Sequence, residues 1–251
     1  MANSLNFNSI DLADYGLVVT HSNLPDFRQQ HDSQLIQDIS YGFRSKRPPK
    51  IVTVDVDVIA STRATLDGYL DSIKLAVVSE VAKALKLDIV TDRYWNAKKT
   101  YFDGNYMSAG VWKGAMSFTA DDPMAYDNTP VSSPHVINAS PKTVIEAVGG
   151  TGIVLPVYTL TAGEVLTDVT IKVENLSIDE ELQWTGSLAS GGVLAIDVPN
   201  WVVKKEGVAD MATFSGKFPR LAPNMANSIK VTALYSAVAG SLNITYRNRY
   251  L

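Results

Sequence analysis

Nine consecutive residues, Ile51-Val52-Thr53-Val54-Asp55-Val56-Asp57-Val58-Ile59, alternate apolar with polar and are β-branched almost throughout. β-branched side chains are stiff at χ1 and fit a pleated, half-buried surface. Period two then places Val52, Val54, Val56 and Val58 on one face, with Thr53, Asp55 and Asp57 on the other. The chain must build a sheet with one face on a core and one in water. Short runs around it add to that sheet: Leu5, Phe7 and Ser9, then Leu17-Val18-Val19, flank the polar turn Asp11 to Gly16 and predict two more strands.

After Ile59 the period changes. Leu66, Leu70, Ile73, Val77, Val81 and Ala84 are spaced by three or four, which predicts one amphipathic helix over Leu66–Leu85, roughly 30 Å long. Thr65 is placed to cap it, Asp67 and Asp71 sit near the positive end of its dipole, and Lys83 and Lys86 near the negative end. Ile89–Tyr106 and Val111–Thr119, rich in Tyr, Trp and Phe, predict further strands punctuated by Asp103-Gly104-Asn105 and Gly110. From Asp121 to Pro141, prolines at 123, 130, 134 and 141 stand among Asp, Asn, Ser and Thr, which is linker chemistry. The expected division is a first domain over 1–130 and a second over 131–251.

The second part has no helix-period segment. Gly152–Tyr158, Val169–Val173, Leu182–Leu188, Val193–Val198, Ile229–Leu234 and Leu242–Tyr246 are short β-branched runs between turns, and predict an all-β sandwich. Ser190-Gly191-Gly192 reads as a hairpin turn. Phe218-Pro219-Arg220-Leu221-Ala222-Pro223-Asn224 reads as a rigid turn before a final β pair.

Composition narrows the function. There is no cysteine among 251 residues, so disulfides, zinc–thiolate sites and thiol catalysis are excluded. A net charge of −4 disfavours gripping nucleic acid by counterion release, and the short basic runs Lys46-Arg47 and Lys204-Lys205 read as solvated loop or strand ends. The apolar stretches Leu75–Val81 and Val231–Ala239 are too short to span a bilayer and the N-terminus lacks an export signal, so a soluble protein with no membrane contact is expected.

The first part, in order, carries Phe7-Asn8-Ser9-Ile10-Asp11-Leu12 with Tyr15-Gly16-Leu17-Val18-Val19, the strand Ile51–Ile59 running into Ala60-Ser61-Thr62 and the helix, then Phe118 with Asp122-Pro123-Met124-Ala125-Tyr126. The second carries Gly216-Lys217-Phe218-Pro219-Arg220-Leu221-Ala222-Pro223-Asn224 and the ending Ile244-Thr245-Tyr246-Arg247-Asn248-Arg249-Tyr250-Leu251. In this order the pieces resemble the distal tail protein family of long-tailed, siphovirus-type bacteriophages. The resemblance implies a mainly β fold: an N-terminal β-sandwich-like belt domain with one α-helix, then a C-terminal galectin-like β-sandwich. It implies a homohexameric ring at the virion's tail tip, made in the host bacterial cytoplasm, joining the tail tube protein to the tail-tip hub or tail-associated protein. DNA would pass through the ring's channel without being specifically bound. An acidic wall would repel passing phosphates.

A ring subunit repeats one heterologous contact, so its first domain needs two sticky sides. Phe7 and Leu17 on the first strands, and Leu66 and Ile73 on the helix, are the expected contact residues. Trp184 and Trp201, with Tyr158, form a candidate aromatic platform for a sugar ring, which motivates the rival reading of a glycan-binding, lectin-like module aiding adsorption. Core packing explains the same aromatics. A cell-wall hydrolase is the enzymatic rival, and it lacks a recognisable constellation: there is no Gly-x-Ser-x-Gly, and His21, His31 and His135 lie in polar, loop-like sequence without metal-ligand spacing. Asp103, Asp121, Asp122 and Asp127 read as turn-formers, and Gly149-Gly150-Thr151-Gly152 as a flexible turn. No enzyme, cofactor or metal is expected.

Overall fold

The computed structural model describes residues 4–23, 49–88, 90–234 and 240–250. His31, Lys46-Arg47, the N-terminal Met1 to Asn3 and the closing Leu251 lie outside them. The chain divides into two compact units, residues 1–125 and 126–250. Both are mainly β, all strand pairs with a described register are antiparallel, and no helix among the described residues is long and apolar enough to cross a membrane.

The first unit contains β1 (Leu5–Phe7), β2 (Ile10–Asp11), β3 (Leu17–Asn23), β4 (Lys50–Ile59), α1 (Arg63–Val77), β5 (Lys83–Leu87), β6 (Val90–Ser108) and β7 (Val111–Ala120), with a 3-10 turn at Leu12–Tyr15. Its sheet runs β2-β1-β5-β6-β7-β4-β3. β4 does what its alternation predicts: Val52, Val54, Val56 and Val58 are buried, while Asp55 is exposed and Thr53 and Asp57 half-buried. β6, 19 residues long, belongs to two sub-sheets. Its first half pairs with β5 as far as Ala97, and its second half, from Lys98 to Ser108, pairs with β7. The sub-sheets meet face to face, as the Phe7 and Phe118 ring centroids 5.3 Å apart show.

Three expectations need correction here. The helix begins three residues earlier than predicted, with Thr62 rather than Thr65 as its N-cap: the Thr62 hydroxyl accepts the Thr65 N–H at 3.2 Å. It ends at Val77, because Leu85 and Leu87 alternate into the core as β5 between β1 and β6. Asp103-Gly104-Asn105 does not interrupt a strand. It lies inside β6, where Gly104 opposes Gly114 on β7 and the Trp112 indole lies across both. A Cβ at Gly104 would stand 2.2 Å from the Lys113 carbonyl oxygen, and one at Gly114 2.2 Å from the indole.

The second unit continues with β8 (Ala125–Asp127), β9 (Val131–Ile137), β10 (Lys142–Val148), β11 (Val157–Ala162), β12 (Leu166–Asn175), β13 (Glu180–Leu188), β14 (Val193–Asp197), β15 (Val202–Lys205), β16 (Val208–Ala209), β17 (Phe214–Gly216), β18 (Met225–Leu234), β19 (Gly240–Tyr246) and β20 (Arg249–Tyr250). A five-stranded sheet, β10-β18-β12-β13-β17, and a six-stranded sheet, β16-β15-β14-β11-β19-β9, share one apolar core. Val173, Leu182, Trp184 and Val231 come to it from the first sheet, and Tyr158, Leu160, Ile196 and Ile244 from the second. This is a β-sandwich. Ser190-Gly191-Gly192 is a tight turn with Gly191 at φ +78°, yet β13 and β14 belong to different sheets, so it is a crossover and not a hairpin.

Candidate interaction surfaces

The first unit's open face is read directly from strand register. Across β4, β7 and β6 lie the rows Thr53–Ser117–Tyr101, Asp55–Ala115–Asp103 and Asp57–Lys113–Asn105. The Thr53 and Ser117 hydroxyl oxygens are 3.0 Å apart, and Lys113 Nζ is 3.0 Å from Asp57 Oδ2. The face is polar, with the carboxylates of Asp55 and Asp103 exposed. His21, on β3 and not in a loop as expected, is exposed beside Asp55.

The same sub-sheet has two edges. Among the described residues β3 ends the strand order, and β5 leaves β6 at Ala97, so residues 98–108 have β7 on one side and no continuation of β5 on the other. An edge strand presents unpaired backbone donors and acceptors. Near the far end of β6, Tyr106 donates its hydroxyl to Asp67 Oδ1 at 2.7 Å, and the Arg63 guanidinium sits 3.3 Å from the Tyr106 ring centroid. The Tyr106 hydrogen bond, with Arg63 beside it, holds the Asp67 carboxyl below its ordinary range, and Asp67 in turn pushes the Tyr106 phenol up.

The predicted contact residues are elsewhere. Phe7, Leu17, Leu66 and Ile73 are 0–1 % exposed. They are the core of the first unit, and their side chains offer a neighbour no surface in this conformation. The sugar platform is not assembled either: Trp184 is 0 % exposed, with its Nε1–H donated to Asp210 at 3.0 Å. Trp201, 37 % exposed and at φ +56°, packs edge-on against Phe218. Tyr158, the third member, is in the core.

His135 is a strand residue of β9, not a loop residue. Its Nε2 contacts both Ser133 Oγ at 3.1 Å and Glu146 Oε2 at 3.2 Å. A serine–histidine–carboxylate relay needs the two partners on opposite ring nitrogens. Among the described residues no group of three histidines, cysteines or carboxylates is arranged to hold a metal. Asp122 makes a local turn, accepting the Met124 N–H at 3.1 Å. Gly149–Gly152 is held, not flexible: Thr151 and Gly152 donate to the Arg249 carbonyl at 2.9 Å, and a Cβ on Gly150 would be 2.4 Å from that oxygen.

The segment 218–224 is fastened from several directions. Glu180 accepts the Arg220 backbone N–H at 2.9 Å and its guanidinium at Nε and Nη2. Asn175 donates to the Arg220 carbonyl at 2.7 Å, and Asn227 Oδ1 accepts the Ala222 N–H at 2.8 Å. Burial alone would raise the Glu180 carboxyl, but the side-chain and backbone hydrogen bonds from Arg220 outweigh it and hold the group below its usual range. The sequence shows the turn but not its partners Glu180 and Asn175, which are 40 and 45 residues from Arg220.

No family model and no curated protein matches the sequence. Solved structures match its fold. The Dit (gp 19.1) protein of phage SPP1, described as a paradigm of the hub adsorption apparatus in phages infecting Gram-positive bacteria, superposes at a TM-score of 0.77 with 14 % identity, over the whole of both chains. The fold of this chain resembles that of the Dit-type phage tail proteins. Chains of the phage P2 baseplate in its activated conformation match at TM-scores of 0.51 with calcium and 0.52 with strontium, each 9 % identical over 98 % of both chains.

Proposed function

We propose that this chain is a non-enzymatic structural component of a phage tail tip, six copies of which close into a ring between the tail tube and the tail-tip hub. The observation that carries the reading is the pair of edges that the described residues leave open on one four-stranded sub-sheet, β3 at one side and residues 98–108 of β6 at the other. Pairing the β3 edge of one copy with the β6 edge of the next is a heterologous contact, which generates a ring when the rotation closes. Six such sub-sheets supply about 24 strands, and at ~4.8 Å between strands the circumference before tilt is roughly 115 Å, a diameter of about 37 Å. Barrels of 16 to 18 strands already leave an aqueous channel.

The same arrangement gives the open face a place. Asp55, Asp103 and the Thr53–Ser117 row would line the channel, where exposed carboxylates repel a passing phosphate backbone rather than trap it. The Dit-like fold and the baseplate origin of its structural neighbours support this placement.

The test is mass in solution. Light scattering across concentration should find six times 27.2 kDa for the wild type. Thr20 is the bulge residue between Val19 and His21, outside the backbone register with β4 although its hydroxyl donates to the Asp55 carbonyl at 3.2 Å, so Thr20→Pro blocks the edge at the cost of that one side-chain bond and spares the backbone ladder of β3 and β4. It should give a folded monomer. A wild type that stays monomeric at every concentration, or a Thr20→Pro variant that still forms the ring, would end the reading.

A further inference from the structure

We propose that Tyr106, clamped by Arg63 and Asp67, is a positioning residue that holds the free half of β6 in the orientation that subunit pairing needs; this rests on the ring reading above.

Beyond Gly104 the end of β6 has little under it. Residues 105–109 are exposed, and the register with β7 shifts between Tyr106 and Ser108. There β6 is the outer strand of the sheet, held through β7, which continues into β4, so this stretch has ladder bonds on one side alone. Its curvature is set on the core side, where Trp112 lies across Gly104 and Gly114 and against Phe102 at 4.9 Å between centroids. Its position relative to α1 is set by the clamp. Arg63 and Asp67 are one helical turn apart on α1, joined by a 3.1 Å ion pair, and the Tyr106 ring and hydroxyl engage both at once. Both α1 side chains are about half exposed, as is Tyr106. The cluster therefore lies at the surface, and its effect falls on the strand it tethers.

The experiment pairs hydrogen exchange of the dilute monomer with light scattering of the concentrated protein, on the full chain. In Tyr106→Ala, amides 101–108 should exchange faster while those of β4 keep wild-type protection, and ring formation should need about tenfold more protein. Tyr106→Phe, which keeps the ring over Arg63 and loses the bond to Asp67, should fall between. Asp67→Asn retains an acceptor for the hydroxyl and should preserve most of the assembly. A wild-type ring that Tyr106→Ala leaves at wild-type affinity, or unchanged exchange over 101–108, overturns the clamp and leaves the ring reading intact. A wild type that never assembles overturns both.

Discussion

Replacing Tyr158 by phenylalanine should stabilise the second unit. Tyr158 is 1 % exposed, and its hydroxyl lies in the core with no hydrogen-bond partner among the described residues. Burial, then the nearby carboxylates of Glu180 and Glu146, pushes the phenol well above its ordinary range, so the group stays neutral. A buried hydroxyl without a partner costs about 1–3 kcal/mol of desolvation. Removing the oxygen leaves a void of roughly 10–15 Å³, and at about 24 cal/mol per Å³ that returns only ~0.3 kcal/mol of penalty. The net expectation is a gain of about 1 kcal/mol, or ~3–5 °C in midpoint for a unit of this size. Tyr246→Phe supplies the contrast, since that hydroxyl is 2.9 Å from Glu146 Oε1 and 3.0 Å from the Ala147 carbonyl oxygen. Its loss should destabilise by about 1–2 kcal/mol. Scanning calorimetry with urea titration of both variants separates the cases. A loss of 1 kcal/mol or more in Tyr158→Phe would refute the reasoning, because it would mean the hydroxyl is satisfied, for instance by a buried water.

Glu180→Gln should destabilise by about 1.5–3 kcal/mol at pH 7, the range for a hydrogen bond to a charged group. Because the folded carboxyl is held below its ordinary value, this stabilisation is present above the unfolded value near 4.3 and is lost as pH falls through the folded one. Denaturant titrations of wild type and variant should therefore converge as pH falls below the ordinary carboxylate range. Gly68 has nothing within 4 Å of a Cβ, so Gly68→Ala in the middle of α1 should add about 1 kcal/mol by helix propensity. Gly104→Ala should remove about 3 kcal/mol or prevent folding, because its Cβ meets backbone. Thr62→Ala should lower stability by about 1 kcal/mol and Thr65→Ala by clearly less, read by urea midpoints, since Thr62 is the residue that accepts the N-terminal N–H.

Periodicity made much of the architecture legible. The alternation over β4 survives intact in the burial of its four valines, and the short β-branched runs of the second part became strands of a sandwich, except that Gly152–Tyr158 joins a strand only at Val157 and that the proline-rich stretch read as linker holds β8 and β9. Errors arose where two periods overlap. Leu85 and Leu87 carry a period-two signal, but Val81 and Ala84 continue the helical spacing, and only pairing with β1 and β6 decides between them. Val81 consequently ends up exposed. Glycine misled for a similar reason. Gly104 reads as a break, while its purpose is to make room for Trp112, a residue eight positions away whose approach depends on β6–β7 register. Trp184 likewise lies over Gly186 in the core, so the aromatic that looked most like a sugar platform is a packing residue.

The residues expected to make the subunit contact went astray for a deeper reason. Phe7, Leu17, Leu66 and Ile73 were chosen because large apolar side chains are sticky, yet that same property drives them into the core before any neighbour arrives. An edge-to-edge contact is made by backbone groups, which every residue carries, so it leaves no compositional mark at the strands that make it. Whether a strand is an edge is a property of topology: β6 has an open side only because it is 19 residues long and changes sub-sheet halfway. At this edge the side chains of Tyr101, Tyr106 and Met107 are large and remain exposed. Tyrosine and methionine are enriched at protein interfaces. Three exposed residues of these types on the open half of one strand therefore point to the surface that the chain's own core does not cover, and the Tyr106 clamp is where that surface meets the helix.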